Sequence, residues 1–91
     1  MSWYIYIVRC ADNTLYTGVT TDIERRVREH NGEIQRGASY TKFRRPVTLV
    51  RAETADNRST AMKRERAIKK LSKQEKEDLT RDARYATIEP C

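Results

Sequence analysis

The 91-residue chain predicts a single small domain of mixed α and β structure. Three observations carry that expectation. Two runs rich in β-branched and aromatic residues meet across a polar turn between Trp3 and Val19; a third such run follows near Val47; and two Thr/Ser-x-x-Glu patterns each stand just before a helix-forming stretch.

The first strand is expected over Trp3 to Cys10, with Ala11 to Thr14 as the turn and Leu15 to Val19 returning. Alternation along the first strand puts Tyr4, Tyr6 and Val8 on one face and Ile5 and Ile7 on the other. Tyr6 then has apolar neighbours and a polar tip. Gly18, two residues after Tyr16, marks a place where something comes close to the backbone. Thr21 and Glu24 form the first capping pattern, and a helix runs from there to about His30, where Asn31-Gly32 supplies the stop. Helical spacing groups Ile23, Arg26, Val27 and His30 in one sector and turns Arg25, Arg28 and Glu29 elsewhere. On this helix alone, Arg26 reads equally as a rim residue with a buried stem or as a functional cation, and His30 as a residue bonded to the terminal carbonyls.

Glu33 to Arg45 reads as a short helix or turn and then a loop, closed by Pro46. Tyr40, Lys42, Phe43, Arg44 and Arg45 interleave cations with aromatic rings. Such a surface suits nucleic acid, though the rings equally suit anchoring the loop. Val47 to Thr54 is the third strand, with burial expected near Leu49 and Val50. Ser59 to about Leu71 is the next helix, with Ala61, Met62, Ile68 and Leu71 as its apolar sector and Glu65 inside that sector. A carboxylate so placed needs a partner, either an arginine or a metal ion. Lys63, Arg64, Arg66, Lys69 and Lys70 make the rest of that helix basic, which fits either a solvated face or a phosphate track. Ser72 and Glu75 open a last helix to Ala83, and Arg84 to Cys91, with little to bury, is a frayed tail.

Nineteen basic residues against 13 acidic give a formal charge of +6, which favours an anionic partner, nucleic acid being the commonest, or serves solubility alone. The chain contains no signal-peptide pattern and no apolar run long enough to cross a bilayer. Cys10 and Cys91 have no metal-ligand spacing and read as free thiols in a reducing compartment, the cytoplasm, with Cys10 buried. Zinc clusters, serine or cysteine triads and glycine-rich phosphate loops are absent from the sequence.

Tyr4-Ile5-Tyr6 and Tyr16-Thr17-Gly18, followed by Arg26, His30 and Glu65, resemble the motifs of the GIY-YIG nuclease family, in its small stand-alone bacterial branch, over roughly Ser2 to Leu71. Tyr4 stands where the first motif has glycine and Thr17 where the second has isoleucine. The resemblance implies an α/β (α+β) fold with a small three-stranded, mostly antiparallel sheet flanked by helices, the domain occupying residues 1–83. It also implies divalent-metal-dependent hydrolysis of DNA, in repair or processing, by a monomer, with RNA as a second substrate class. In those terms Tyr6 is the general base, Tyr16 positions water or phosphate, Arg26 grips the scissile phosphate, and His30 moves a proton or orients a tyrosine. Glu65 holds one Mg²⁺ or Mn²⁺. Gly18, Tyr40, Lys42, Arg44, Arg45, Lys69 and Lys70 contact the nucleic acid. A phenol of pKa about 10 is only roughly a thousandth ionised at neutral pH, so Tyr6 needs a lowered pKa or a relay. The rival expectation is a non-catalytic DNA- or RNA-binding module, or an interaction subunit, that keeps the fold.

Overall fold

The computed structural model describes residues 2–33 and 44–81. Strands β1 (Trp3–Arg9) and β2 (Leu15–Thr20) form the hairpin, helix α1 (Ile23–His30) follows, and β3 (Thr48–Ala55), α2 (Arg58–Lys69) and α3 (Lys73–Thr80) complete the chain order. The sheet is wholly antiparallel in the order β2-β1-β3, so β1 is central and β2 is an edge. This is the expected α+β fold. None of the described helices is long and apolar enough to cross a membrane.

Alternation on β1 divides the interior in two. Ile5 and Ile7 pack with Ala61 and Ile68 of α2, and Leu79 of α3 joins them, whereas Tyr6, Val8 and Cys10 pack with Val47 and with Val27 of α1. One layer of helices therefore covers each face. Each fully buried aliphatic side chain here contributes about 1.5–3 kcal/mol. Cys10 is buried with a free thiol, as expected.

The hairpin turn holds because Asn13 takes a φ of 69°, a left-handed conformation asparagine tolerates, while the Asp12 carboxylate accepts from Thr14 N at 3.1 Å. Helix α1 begins one residue later than the capping pattern implied. Asp22 rather than Thr21 is the N-cap, its carboxylate accepting from Arg25 N at 3.1 Å, because that register places Ile23 in the core. The Asn31-Gly32 stop is as expected: Gly32 has a φ of 78°, and the amides of Gly32 and Glu33 bond to the carbonyls of Glu29 and Arg28. Ser72 and Glu75 make the reciprocal capping box at α3.

Burial on β3 differs from the expectation. Leu49 and Val50 are half-buried, and the covered residues are Arg51 and Ala52, which lie opposite Ile7 and Tyr6 at the middle of the sheet. The buried Arg51 guanidinium is held by Glu53, 2.8 Å away, and by the carbonyl of Leu79 at 3.0 Å. Glu53 also receives Arg64 of α2, so one carboxylate ties strand to helix. Tyr40, Lys42 and Phe43, the end of the last helix at Ala83 and the 84–91 tail lie outside the described residues.

Candidate active site

The site starts at the centre of β1. Tyr6 pairs with Gly18 of β2, and its ring is carried out over that edge strand because glycine leaves the space above it empty. A Cβ at Gly18 would stand 2.6 Å from the Tyr6 Cζ, far inside van der Waals contact. What approaches the backbone at Gly18 is thus the phenol.

Helix α1 brings two partners to that phenol. His30 Nε2 lies 2.8 Å from the Tyr6 hydroxyl, and Arg26 Nε donates to the same oxygen at 3.3 Å. Arginine can only donate, so the Tyr6 oxygen accepts from Arg26, and in the Nδ1-protonated tautomer of His30 the phenol donates its proton to Nε2. Tyr16, two pairs further along the hairpin, presents its ring to the edge of His30, centroids 5.1 Å apart, and stands 6.4 Å from Tyr6. Four of the five side chains singled out for chemistry form one cluster: Tyr6, Tyr16, Arg26 and His30.

Burial sets their protonation. The Tyr6 phenol is pushed up to about 12, chiefly because burial disfavours the phenolate, and the Arg26 hydrogen bond only partly offsets this. His30, fully buried, is pushed down to about 4 by burial and then by the charge of Arg26, so its imidazole is neutral at pH 7. The pair therefore rests as a neutral phenol against a neutral imidazole.

Residues 2–78 match the model of the GIY-YIG catalytic domain. The chain belongs to the GIY-YIG family. Within it, the chain is similar to a UPF0213 protein of Desulfotalea psychrophila, 56% identical over 80 residues that cover 88% of this chain and 72% of that protein. A UPF0213 protein of Haloquadratum walsbyi is 54% identical over 80 residues, 87% of this chain and 86% of its own length. Two solution structures are similar: the UPF0213 protein from Bacillus halodurans, with a TM-score of 0.55 and 40% identity, and an E. faecalis protein, with a TM-score of 0.59 and 39% identity. Each comparison covers 87% of this chain and 82% of the other.

The fifth residue of the GIY-YIG set, Glu65, arrives from the other layer. Helix α2 packs on the Ile5 and Ile7 face, and Glu65, four residues from Ala61 and three from Ile68, shares their side of the helix. Tyr6 overhangs the edge strand, and the Glu65 charge reaches the phenol and helps to raise its pKa. The Glu65 side chain is 16% exposed and its ion-pair partner, Lys69, is 3.5 Å away. So sheltered a carboxylate, with one long contact, has oxygen lone pairs to offer a cation, and Mg²⁺ needs only one or two carboxylates besides phosphate oxygens and water. Glu65 therefore fits the divalent ion that GIY-YIG nucleases generally use, although no cluster of three metal-ligating side chains occurs among the described residues.

Glu29 is the residue that helical spacing misjudged. It is 7% exposed rather than turned to solvent, and its carboxylate bonds Arg26 Nη1 at 2.9 Å and meets Arg25 at 3.5 Å. Arg26 is thereby held at both ends, by Glu29 and by Tyr6, and these bonds keep its pKa raised although burial opposes the charge. A cleft of about 310 Å³ opens beside it, lined by Thr20, Thr21, Asp22, Arg25, Arg26 and Glu29. A signal was present in the sequence: Glu29 stands three residues after Arg26 and four after Arg25.

The residues expected to touch nucleic acid divide. Arg44 pairs with Asp12 at 3.1 Å and its carbonyl accepts from Ala11, while Arg45 Nε donates to the His30 carbonyl at 2.6 Å. Both arginines thus brace the hairpin turn and the end of α1. Lys69 faces Glu65, Lys70 is exposed at the end of α2, and Tyr40 and Lys42 are outside the described residues.

Proposed function

We propose that this GIY-YIG domain is a divalent-metal-dependent endonuclease that hydrolyses phosphodiester bonds in DNA, acting in DNA repair or processing. The observation that carries this reading is the Tyr6 hydroxyl, bonded at once to His30 Nε2 and Arg26 Nε. Phosphodiester hydrolysis needs a proton acceptor for water, fixed positive charge on the phosphate, and help for the leaving oxygen.

Arg26, clamped by Glu29, supplies the fixed charge at the mouth of the cleft. Tyr6 at a pKa of about 12 is a poor base by itself, since only about one molecule in 10⁵ would be ionised at pH 7. Its hydrogen bond to a neutral imidazole supports the relay instead: Tyr6 takes the proton of the attacking water as its own passes to His30 Nε2. The arriving phosphate anion assists by stabilising the imidazolium against the repulsion of Arg26. Tyr16 packs against His30 and keeps that ring in place. Glu65 would hold the cation, which when bound neutralises charge on the phosphate and on the departing oxygen.

Nicking of supercoiled plasmid DNA with and without Mg²⁺ tests the proposal. The parent protein is expected to nick only with the metal, and Arg26→Ala and Glu65→Ala proteins to lose the activity. Equal nicking by all three would assign the breaks to a contaminant. Tight, salt-sensitive DNA binding without strand breaks under any divalent metal would favour the non-catalytic module.

A further inference from the structure

Helix α2 carries a second concave surface, lined by Arg58, Ser59, Met62 and Arg66. Arg58, Met62 and Arg66 are spaced four apart and so form one stripe along the helix. Of the five cations of α2, Arg64 pairs with Glu53 and Lys69 with Glu65, and Lys63, exposed, lies off this stripe. Arg58 and Arg66 have no acidic partner among the described residues, and both are exposed.

Arg58 also opposes a local rule. It occupies the first position of the helix, whose first turn holds no acidic residue, although the positive end of the helix dipole disfavours a cation there. The start of α2 therefore carries an uncompensated positive potential, summed from the backbone and a guanidinium. Nothing in the packing requires it, because Arg58 is exposed.

The stripe is on the flank of α2 that faces the site. At about 100° per residue, Arg58 and Met62 follow directly after Glu65 around the helix, whereas Arg64 is on the opposite flank, turned to Glu53 of β3. In the strand order β2-β1-β3, the side away from β3 is the β2 edge, over which the Tyr6 hydroxyl is carried. The two arginines are separated by eight residues, or about 12 Å along the axis, too far to share one phosphate. Met62 between them offers an apolar surface to a sugar.

We infer that this groove holds the phosphate backbone of the nucleic-acid strand flanking the bond presented to Tyr6 and Arg26, with Arg58 and Arg66 on separate phosphates. The inference rests on the nuclease reading for its direction but not for its binding chemistry. A strand has repeating anions at fixed spacing, which two separated guanidinium groups match; a single small anion would engage only one.

The test is binding of a fluorescein-labelled 20-base-pair duplex, followed by anisotropy from low to moderate salt in Ca²⁺, alongside plasmid nicking in Mg²⁺. An Arg58→Gln/Arg66→Gln protein is expected to bind at least about tenfold more weakly at low salt. Its slope of log affinity against log salt should be shallower by about two. Charge-matched Lys76→Gln/Arg81→Gln, on α3 and at its C-cap, should keep the parent slope. If the arginine variant keeps the parent slope, or the control loses as much, the groove is not the track. Poly-glutamate preferred to the duplex, with the same dependence on both arginines, would overturn the choice of ligand. A slope change without any nicking by the parent leaves the groove assigned and removes the nuclease reading; nicking with an unchanged slope does the reverse.

Discussion

His30 Nε2 stands 2.8 Å from the hydroxyl of Tyr6, across 24 residues of sequence, and neither side chain is more than 1% exposed. A buried neutral imidazole has a consequence for stability, because the unfolded chain protonates that residue and the folded chain does not. The folded pKa is lowered from 6.5 to about 4, so the contribution is complete above pH 6.5 and is lost as pH falls toward 4. Its size is about 3 kcal/mol. Urea unfolding from pH 7 to pH 4.5 should show this decline in the parent and a flatter profile in His30→Gln. The carboxylates with lowered pKa, Glu53 and Glu77 among them, lose most of their contribution below their ordinary value of 4.5, past the end of that titration.

Removing the Tyr6 hydroxyl separates its chemical role from its packing. Tyr6→Phe keeps the ring over Gly18 but leaves the His30 nitrogen without its partner, at a cost of about 1–3 kcal/mol. DNA nicking should fall by roughly 10²–10⁴-fold, the range of general acid–base catalysis. Thermal unfolding and nicking measured on the same preparation give the two effects, and an unchanged nicking rate would remove the phenol from the mechanism.

Gly18 can be examined from the opposite side. An alanine there needs the space that the Tyr6 phenol occupies, so the ring must move and its bonds to His30 and Arg26 break. Gly18→Ala should destabilise the fold by roughly 1–3 kcal/mol and abolish nicking. Gly18→Ala combined with Tyr6→Phe should lose less stability than the sum of the two single changes, since the residues are in contact.

Glu29 acts on substrate only through Arg26. Glu29→Ala should reduce nicking by up to about 10²-fold, the cost of misplacing a reacting group by an ångström, while Glu29→Gln, whose amide oxygen still accepts from Arg26, should recover most of it. Arg26→Lys should not recover Arg26→Ala, because an ammonium cannot bond Tyr6 and Glu29 from one planar fork. Steady-state nicking rates of the four proteins decide this.

Glu65 is tested through the metal. Chelation should stop nicking in the parent, and Glu65→Gln should raise the Mg²⁺ concentration for half-maximal rate by about tenfold or more. A titration that superimposes on the parent's would remove Glu65 as the ligand.

Much of this arrangement was legible along the chain because it is written in local patterns. The faces of β1, the Asp12-Asn13 turn, the Asn31-Gly32 stop and the Ser72 capping box each depend on residues within a few positions of one another. The start of α1 was misread by one residue, since Thr21 and Asp22 both cap well and only the packing of Ile23 chooses between them. Burial of Arg51 and Glu29 was not legible, because each is admitted to the interior by a partner, and pairing across elements has no signature in periodicity. The layer that receives Glu65 was hidden for the same reason: an apolar stripe reveals that a helix docks, not on which face of the sheet.

Helix α3 has no fully buried residue, and polar groups do much of its fastening: Glu77 grips Arg9, Lys73 reaches the Asn13 carbonyl, and the Leu79 carbonyl receives Arg51. Concentrated electrolyte weakens such clasps while strengthening apolar contacts. In strong brine this last segment should therefore peel from the hairpin first, its amides exchanging with deuterium while those of the central strand stay protected.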